Sequence, residues 1–314
     1  MFDLPRGVVV PLVTPLAEDE TLDVVAFRKL LNIQLEAGVD GFFVLGSCGE
    51  GVLLTEEVRL KVAKSAVEVA GGAVPVYAGA SNNSIATVTP GINRLVDAGV
   101  SAVVLTLPFY GWYNDQSCAV DFFCEIADLS PVPVIAYNLP RIAGTSLSLE
   151  SILAIADHPN IIALKDTRPE FEEMLAVASC KERQGKISYL VGNTVLAGSL
   201  LRAGAEGLVS TMGNVYPHLI QRLWQSHNKN HHAMVETCTK LIAEFNPVFS
   251  MPTTPASTKW ALELAGIGKA RAVRPWPMPN AEQRENIRTI MNGIDRQLLE
   301  MGIARIASHA CGLC

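Results

Sequence analysis

The sequence predicts an α/β fold, a (β/α)8 TIM barrel with a C-terminal helical appendage, on three observations. Short unbroken apolar runs recur eight times along the first two thirds of the chain. The segments between them space apolar residues at three or four. After about residue 225 the runs stop and only helical spacing continues. An apolar run without alternation is the pattern of a strand buried on both faces, and helices between such strands make the sheet parallel. Eight regular units close most simply into a barrel. A doubly wound sheet is the alternative, but it lacks support from a G-x-G-x-x-G turn.

The strands are expected at residues 7–13, 41–45, 74–78, 102–105, 132–136, 161–164, 187–191 and 207–209. Helices are expected between them at residues 24–37, 55–70, 85–98, 117–129, 149–156, 170–179 and 194–203. Thr55 and Ser148 suit helix starts, each with acidic residues in the turn that follows. Gly38, Gly99 and Gly204 each follow an alanine at a helix end, where a left-handed stop is needed. Further helices at residues 231–245, 258–265 and 281–301 are joined by proline-rich segments 247–255 and 275–279. This divides the chain into a catalytic barrel, residues 1–224, and a C-terminal helical region, residues 225–314. The last dozen residues show no core pattern and are expected to fray.

The net charge of −6 over 314 residues argues against nucleic acid or an anionic membrane as partner. No basic leader with an apolar core opens the chain, and no apolar run reaches membrane-spanning length, so the expected location is the cytoplasm. The seven cysteines are scattered through a chain long enough to bury a core without staples, so reduced thiols are expected. Cys311 and Cys314 have C-x-x-C spacing but no second pair, which makes a metal or redox reading weak.

The chemistry is expected at the C-terminal ends of the strands. The sixth run, residues 161–166, goes straight into Lys165. A lysine within a buried strand is costly, so Lys165 is expected at the strand end, facing a cavity. A lysine held away from water gives up its proton more readily and can attack a carbonyl to form a Schiff base. A plain pairing with Asp166 is the alternative. Strand two ends in Gly46-Ser47-Cys48-Gly49-Glu50-Gly51, whose backbone N–H groups and Ser47 hydroxyl could hold a carboxylate. Strand four ends in residues 108–113, dense in aromatics, which suits binding or a subunit contact. Strand five ends in Tyr137-Asn138-Leu139-Pro140 and strand seven in Gly192-Asn193. A phenol at this mouth could shuttle a proton.

Taken in order, GSCGE, LPFYG, YNLP, ALKDT and VGNT resemble the family of dihydrodipicolinate synthase and N-acetylneuraminate lyase. The resemblance covers roughly residues 7–225, and the helical appendage also fits. It implies a Schiff-base lyase or aldolase handling pyruvate and an aldehyde, with no metal and no organic cofactor, since the lysine itself supplies the electron sink. By the resemblance, Lys165 forms the imine, Tyr137 relays protons, and Tyr110 reaches into a neighbouring subunit's site. Ser47 and Cys48 hold the pyruvate carboxylate, and Gly192 and Val209 line the pyruvate pocket. The resemblance also implies a homo-oligomer, a dimer or tetramer.

Two positions depart from the family pattern. Cys48 stands where a threonine is usual, so one hydroxyl is lost while the backbone N–H remains. After YNLP, members that make the lysine precursor carry a serine and then an arginine. Here Arg141 comes one place early and Ile142 occupies the arginine position. Because an arginine fork grips carboxylates, the shift favours cleavage of a 2-keto-3-deoxy sugar acid, or a related aldolase or dehydratase reaction. The alternative is 4-hydroxy-tetrahydrodipicolinate (dihydrodipicolinate) synthase, condensing pyruvate with aspartate semialdehyde. A non-catalytic ligand-binding barrel is a reading of another class. Cys48 as a thiolate nucleophile lacks a histidine at any strand end. His227, His231 and His232 fall in the polar start of the appendage, where a solvated face is the simpler reading than a metal site.

Overall fold

The computed structural model describes residues 4–111 and 115–306. Trp112, Tyr113, Cys311 and Cys314 lie outside the described residues, as do residues 307–314 of the end expected to fray; Ile303 and Ile306, within that last dozen, are instead buried in the core. Eight parallel strands close in sequence order into a barrel: β1 Gly7–Pro11, β2 Gly41–Val44, β3 Val76–Gly79, β4 Ala102–Thr106, β5 Val134–Asn138, β6 Ile161–Asp166, β7 Ser188–Val191 and β8 Gly207–Val209. The helices are α1 Val24–Glu36, α2 Glu56–Ala70, α3 Ile85–Asp97, α4 Gln116–Leu129, α5 Pro140–Ala143, α6 Leu149–Ala156, α7 Phe171–Ser179, α8 Ala197–Ala203, α9 Pro217–Asn228, α10 His232–Phe245, α11 Thr254–Leu264 and α12 Ala281–Glu300.

Local chemistry sets most boundaries. The Thr55 hydroxyl accepts from the Val58 amide at the head of α2, and Ser148 accepts from Ser151 at the head of α6. Gly204 ends α8 at φ +116, a conformation a side chain resists. Two helices have no counterpart in the spacing: the single turn α5, and α9, which runs across residue 224. The expected eighth strand–helix unit is therefore complete only at Asn228, where α9 closes the ring against β1 and the turn after β8.

The strands divide their residues between two apolar cores. Val9, Phe43, Tyr77, Val104, Ile135, Tyr137, Leu190 and Val209 fill the barrel interior. Their strand neighbours, such as Val8, Phe42, Val103, Ala136 and Leu208, pack outward under the helices. The period of two holds on every strand except β6. There the pairing with β5 slips between Val134↔Ile161 and Ile135↔Ala163, so Ile162 is an extra residue. Ile162 and Ala163 both belong to the interior core, while Ile161 and Leu164 belong to the outer one. The bulge resets the face that the rest of the strand presents.

Beyond the bulge, Asp166 faces outward and is fully buried under the helix layer. Its carboxylate accepts from Arg168 Nε at 2.8 Å, Asn138 Nδ2 at 3.0 Å and Tyr189 Oη at 3.2 Å. Burial pushes the Asp166 carboxyl up, and the adjacent Arg168 guanidinium opposes the shift. Arg168 also donates to Glu173 at 2.6 Å and to the Leu147 carbonyl at 3.1 Å. This cluster ties the ends of β5, β6 and β7 together. Arg168→Met strands a buried carboxylate and is expected to cost about 3–5 kcal/mol in urea denaturation, with much of the loss recovered by Asp166→Asn in the same chain. A loss below about 1 kcal/mol would mean that the cluster does not hold the strand ends.

Candidate active site

The bulge in β6 turns Lys165 inward at the C-terminal mouth, where register sets it beside Tyr137 of β5 and Leu190 of β7. The lysine is 4 % exposed. Its Nζ lies 3.8 Å from the centre of the Tyr137 ring and 4.8 Å from that of Phe43. Those two rings meet edge to face, 6.5 Å apart, so both are fixed by packing. The amine thus sits against two aromatic rings, and it is not paired with Asp166, whose side chain points the other way.

The turn after β2 closes over the same mouth. Leu45 and Glu50 both take left-handed backbone conformations, at φ +60 and +57, which non-glycine residues adopt only under constraint. A Cβ at Gly51 would overlap the Leu45 carbonyl oxygen. The turn is closed by hydrogen bonds from Glu50 N to Ser47 O at 3.3 Å and from Gly51 N to Gly46 O at 3.1 Å. Thr14 Oγ1 donates to the Gly49 carbonyl at 2.8 Å. None of these bonds uses the amides of Ser47 or Cys48. Ser47 is exposed at the rim and Cys48 is buried beneath it. Burial pushes the Cys48 thiol up to about 12, while Thr211 and the Lys165 charge act in the opposite sense. It is a protonated thiol at neutral pH, which removes the thiolate nucleophile.

Gly192 leaves β7 with its N–H donated to the Asp166 carbonyl at 2.7 Å. A Cβ there would overlap the Thr167 methyl, so the position admits backbone only. Val209 lies in the interior core. Lys165, Tyr137, Cys48, Gly192 and Val209 therefore share one end of the barrel. Tyr110 does not join them within one chain. It is 84 % exposed, held at the rim because Asn83 Oδ1 accepts from both the Phe109 and Tyr110 amides at 2.9 Å. Arg141 sits on the exposed single turn α5, and Ile142 beside it is 41 % exposed.

Sequence reasoning missed three neighbours of the site. Phe43 looked like one more apolar strand residue; only the period of two on β2 hinted that it faces inward. Glu50 was visible in GSCGE without a role. Lys259, in the appendage, carried no signal, yet it is 3 % exposed and paired with Glu50. The three histidines lie apart from the mouth: His227 in α9 stacks at 5.8 Å on Trp224, and His231 and His232 open α10.

A closed eight-stranded barrel with a buried lysine amine beside a tyrosine at its C-terminal mouth has the groups that a lyase working through a lysine imine requires. The chain belongs to the dihydrodipicolinate synthetase family, whose model matches residues 4–293; it is an enzyme of the pyruvate-dependent Schiff-base type. It is 30% identical over 294 residues to a 4-hydroxy-tetrahydrodipicolinate synthase of Xanthomonas campestris, covering 93% of this chain and 96% of that protein. A chloride-inhibited dihydrodipicolinate synthase from Acinetobacter baumannii, solved with pyruvate, superposes with a TM-score of 0.88 at 25% identity, over 92% of this chain and 99% of the other. A dihydrodipicolinate synthase from Thermotoga maritima gives a TM-score of 0.89 at 24% identity, over 93% and 99%. Among the described residues no helix is long and apolar enough to cross a membrane.

Proposed function

We propose that the enzyme cleaves a 2-keto-3-deoxy sugar acid, or carries out a related aldolase or dehydratase reaction, through an imine on Lys165. The observation that carries the reading is the Lys165 amine seated 3.8 Å from the Tyr137 ring. The amine attacks the C2 carbonyl of the 2-oxo acid, water leaves, and a protonated imine forms. Tyr137 takes the proton of the C4 hydroxyl. The C3–C4 bond breaks, its electrons flow into the iminium, and the aldehyde departs. The enamine is protonated at C3, and hydrolysis releases pyruvate and the free lysine. The amides and the hydroxyl of Ser47–Cys48 hold the carboxylate, with the Cys48 thiol filling space that a hydroxyl would otherwise occupy. Gly192 and Val209 wall the pyruvate pocket.

The second reading is 4-hydroxy-tetrahydrodipicolinate synthase, which the name of the Xanthomonas campestris relative favours. Ile142 at the arginine position favours the first. The two are separated by assaying pyruvate release and consumption over a panel of 2-oxo acids and aldehydes.

The same reading makes the active species a homo-oligomer, a dimer or tetramer in which Tyr110 completes a neighbour's site; the exposed ring at the rim supports this. Tyr110→Ala is expected to lower kcat by roughly 10²-fold or more, the scale of a lost proton-transfer group, and sedimentation is expected to show no active monomer. A fully active monomer would end this reading. A cytoplasmic location fits the free thiols of Cys48, Cys118, Cys124, Cys180 and Cys238.

A further inference from the structure

Glu50 and Lys259 stand 209 residues apart in sequence and meet as an ion pair with both side chains 2 % exposed. Every remaining polar atom of the pair is used. Lys259 Nζ also donates to the Arg271 carbonyl at 2.7 Å. The second Glu50 oxygen accepts from the Val273 amide at 2.8 Å. One end of this link is the strained turn that presents Ser47 and Cys48; the other is α11 and the segment that follows it. Burying two charges wins little stability over an apolar pair of the same size, but it does fix one geometry, because either charge left alone is costly. Glu50 is also held at φ +57, a backbone state that needs a strong outside constraint.

We propose that Glu50 and Lys259 are positioning residues: resting on the reading that the 46–51 turn holds the substrate carboxylate, they lock that turn to α11, so the C-terminal appendage sets the enzyme's affinity for pyruvate. Neither touches the reacting atoms. Their effect reaches the substrate through the Ser47 and Cys48 amides.

The test is steady-state kinetics of the full-length enzyme with pyruvate release or consumption as readout. Lys259→Met is expected to raise KM for the 2-oxo acid at least tenfold while kcat falls less than threefold, and Lys259→Arg to recover part of the loss. Glu50→Gln separates positioning from bulk charge. Removing a negative charge near an anionic substrate would by itself lower KM, whereas loss of positioning raises it. A KM within twofold of the parent enzyme, in whichever of Lys259→Met and Glu50→Gln folds, overturns the proposal, because a purely structural pair lowers thermal stability and leaves KM alone. The unaltered enzyme gives a second readout free of folding defects. Saturating pyruvate should slow hydrogen exchange of the Val273 amide at least tenfold along with residues 46–51. Slowed exchange in the turn with no change at Val273 also overturns the proposal. Failure of the imine reading would show separately, as absence of a borohydride-reduced adduct on Lys165, while protection at Val273 needs only carboxylate binding and still decides the coupling.

Discussion

Borohydride added together with pyruvate is expected to leave a reduced pyruvyl group on Lys165 and on no other lysine, and Lys165→Ala is expected to abolish turnover. The expectation follows from burial and direction together. Lys165 is the lysine at the end of a barrel strand, 4 % exposed and facing the mouth. Lys259 is as deeply buried, but its ammonium is engaged by Glu50 and the Arg271 carbonyl; burial pulls it down from its ordinary value and Glu50 opposes this. The remaining lysines are exposed, and an imine formed in water is hydrolysed rather than stabilised. Removing the nucleophile removes the covalent route, so kcat should fall by at least about 10⁴-fold. Because Lys165→Ala shortens one side chain at the end of β6 and leaves the strand's backbone pairing with β5 and β7 in place, circular dichroism and thermal melting should show the fold intact. Peptide mapping by mass spectrometry locates the adduct. An unmodified protein, or label on another lysine, would sink the Schiff-base reading for this chain.

Aspartate semialdehyde is expected to be a poor partner for pyruvate here, and neutral polyhydroxy aldehydes better ones. The semialdehyde carries its own carboxylate, which needs a cation aimed into the mouth. Ile142 cannot supply it. Arg141 sits on the exposed turn α5, which is capped by Gly144 and held by the Gly144 amide donating to the Pro140 carbonyl at 2.8 Å. Moving its guanidinium into the mouth would require that turn to rearrange. Losing a charged partner in a partly buried site costs roughly 2–5 kcal/mol, which is about 30-fold to several-thousand-fold in specificity. The measurement is kcat/KM for aspartate semialdehyde and for neutral aldehydes, or for cleavage of 2-keto-3-deoxy sugar acids, in one preparation. Efficient condensation of the semialdehyde that disappears in Arg141→Ala would show that the displaced arginine does the work and that the synthase reading is the right one.

Fold and site were legible in the sequence to different depths. Eight parallel strands could be read because each is buried on both faces and so is written as an apolar run, a purely local signal. Helix stops at Gly38, Gly99 and Gly204 were legible for a similar reason: a left-handed backbone is a demand on a single residue, and all three glycines take positive φ. The ordered strand-end motifs then fixed the family and pointed to Lys165 and Tyr137. The end of the barrel carries a weaker signal, because α9 has no strand after it to mark where the repeat finishes.

Which way each side chain faces was beyond the sequence. On a strand of period two, the face of Lys165 depends on pairing with β5 and on the extra residue at Ile162, and neither is written in the residues 161–166 themselves. Without that slip, Lys165 would point under the helices and Asp166 into the mouth. The partner of Glu50 was equally hidden, since only chain closure brings residue 259 to residue 50. Local sequence determined where strands and turns form, because backbone preference and burial act over a few residues. Tertiary structure decided which groups meet at the mouth, because register and long-range pairing are set by contacts between segments far apart in the chain.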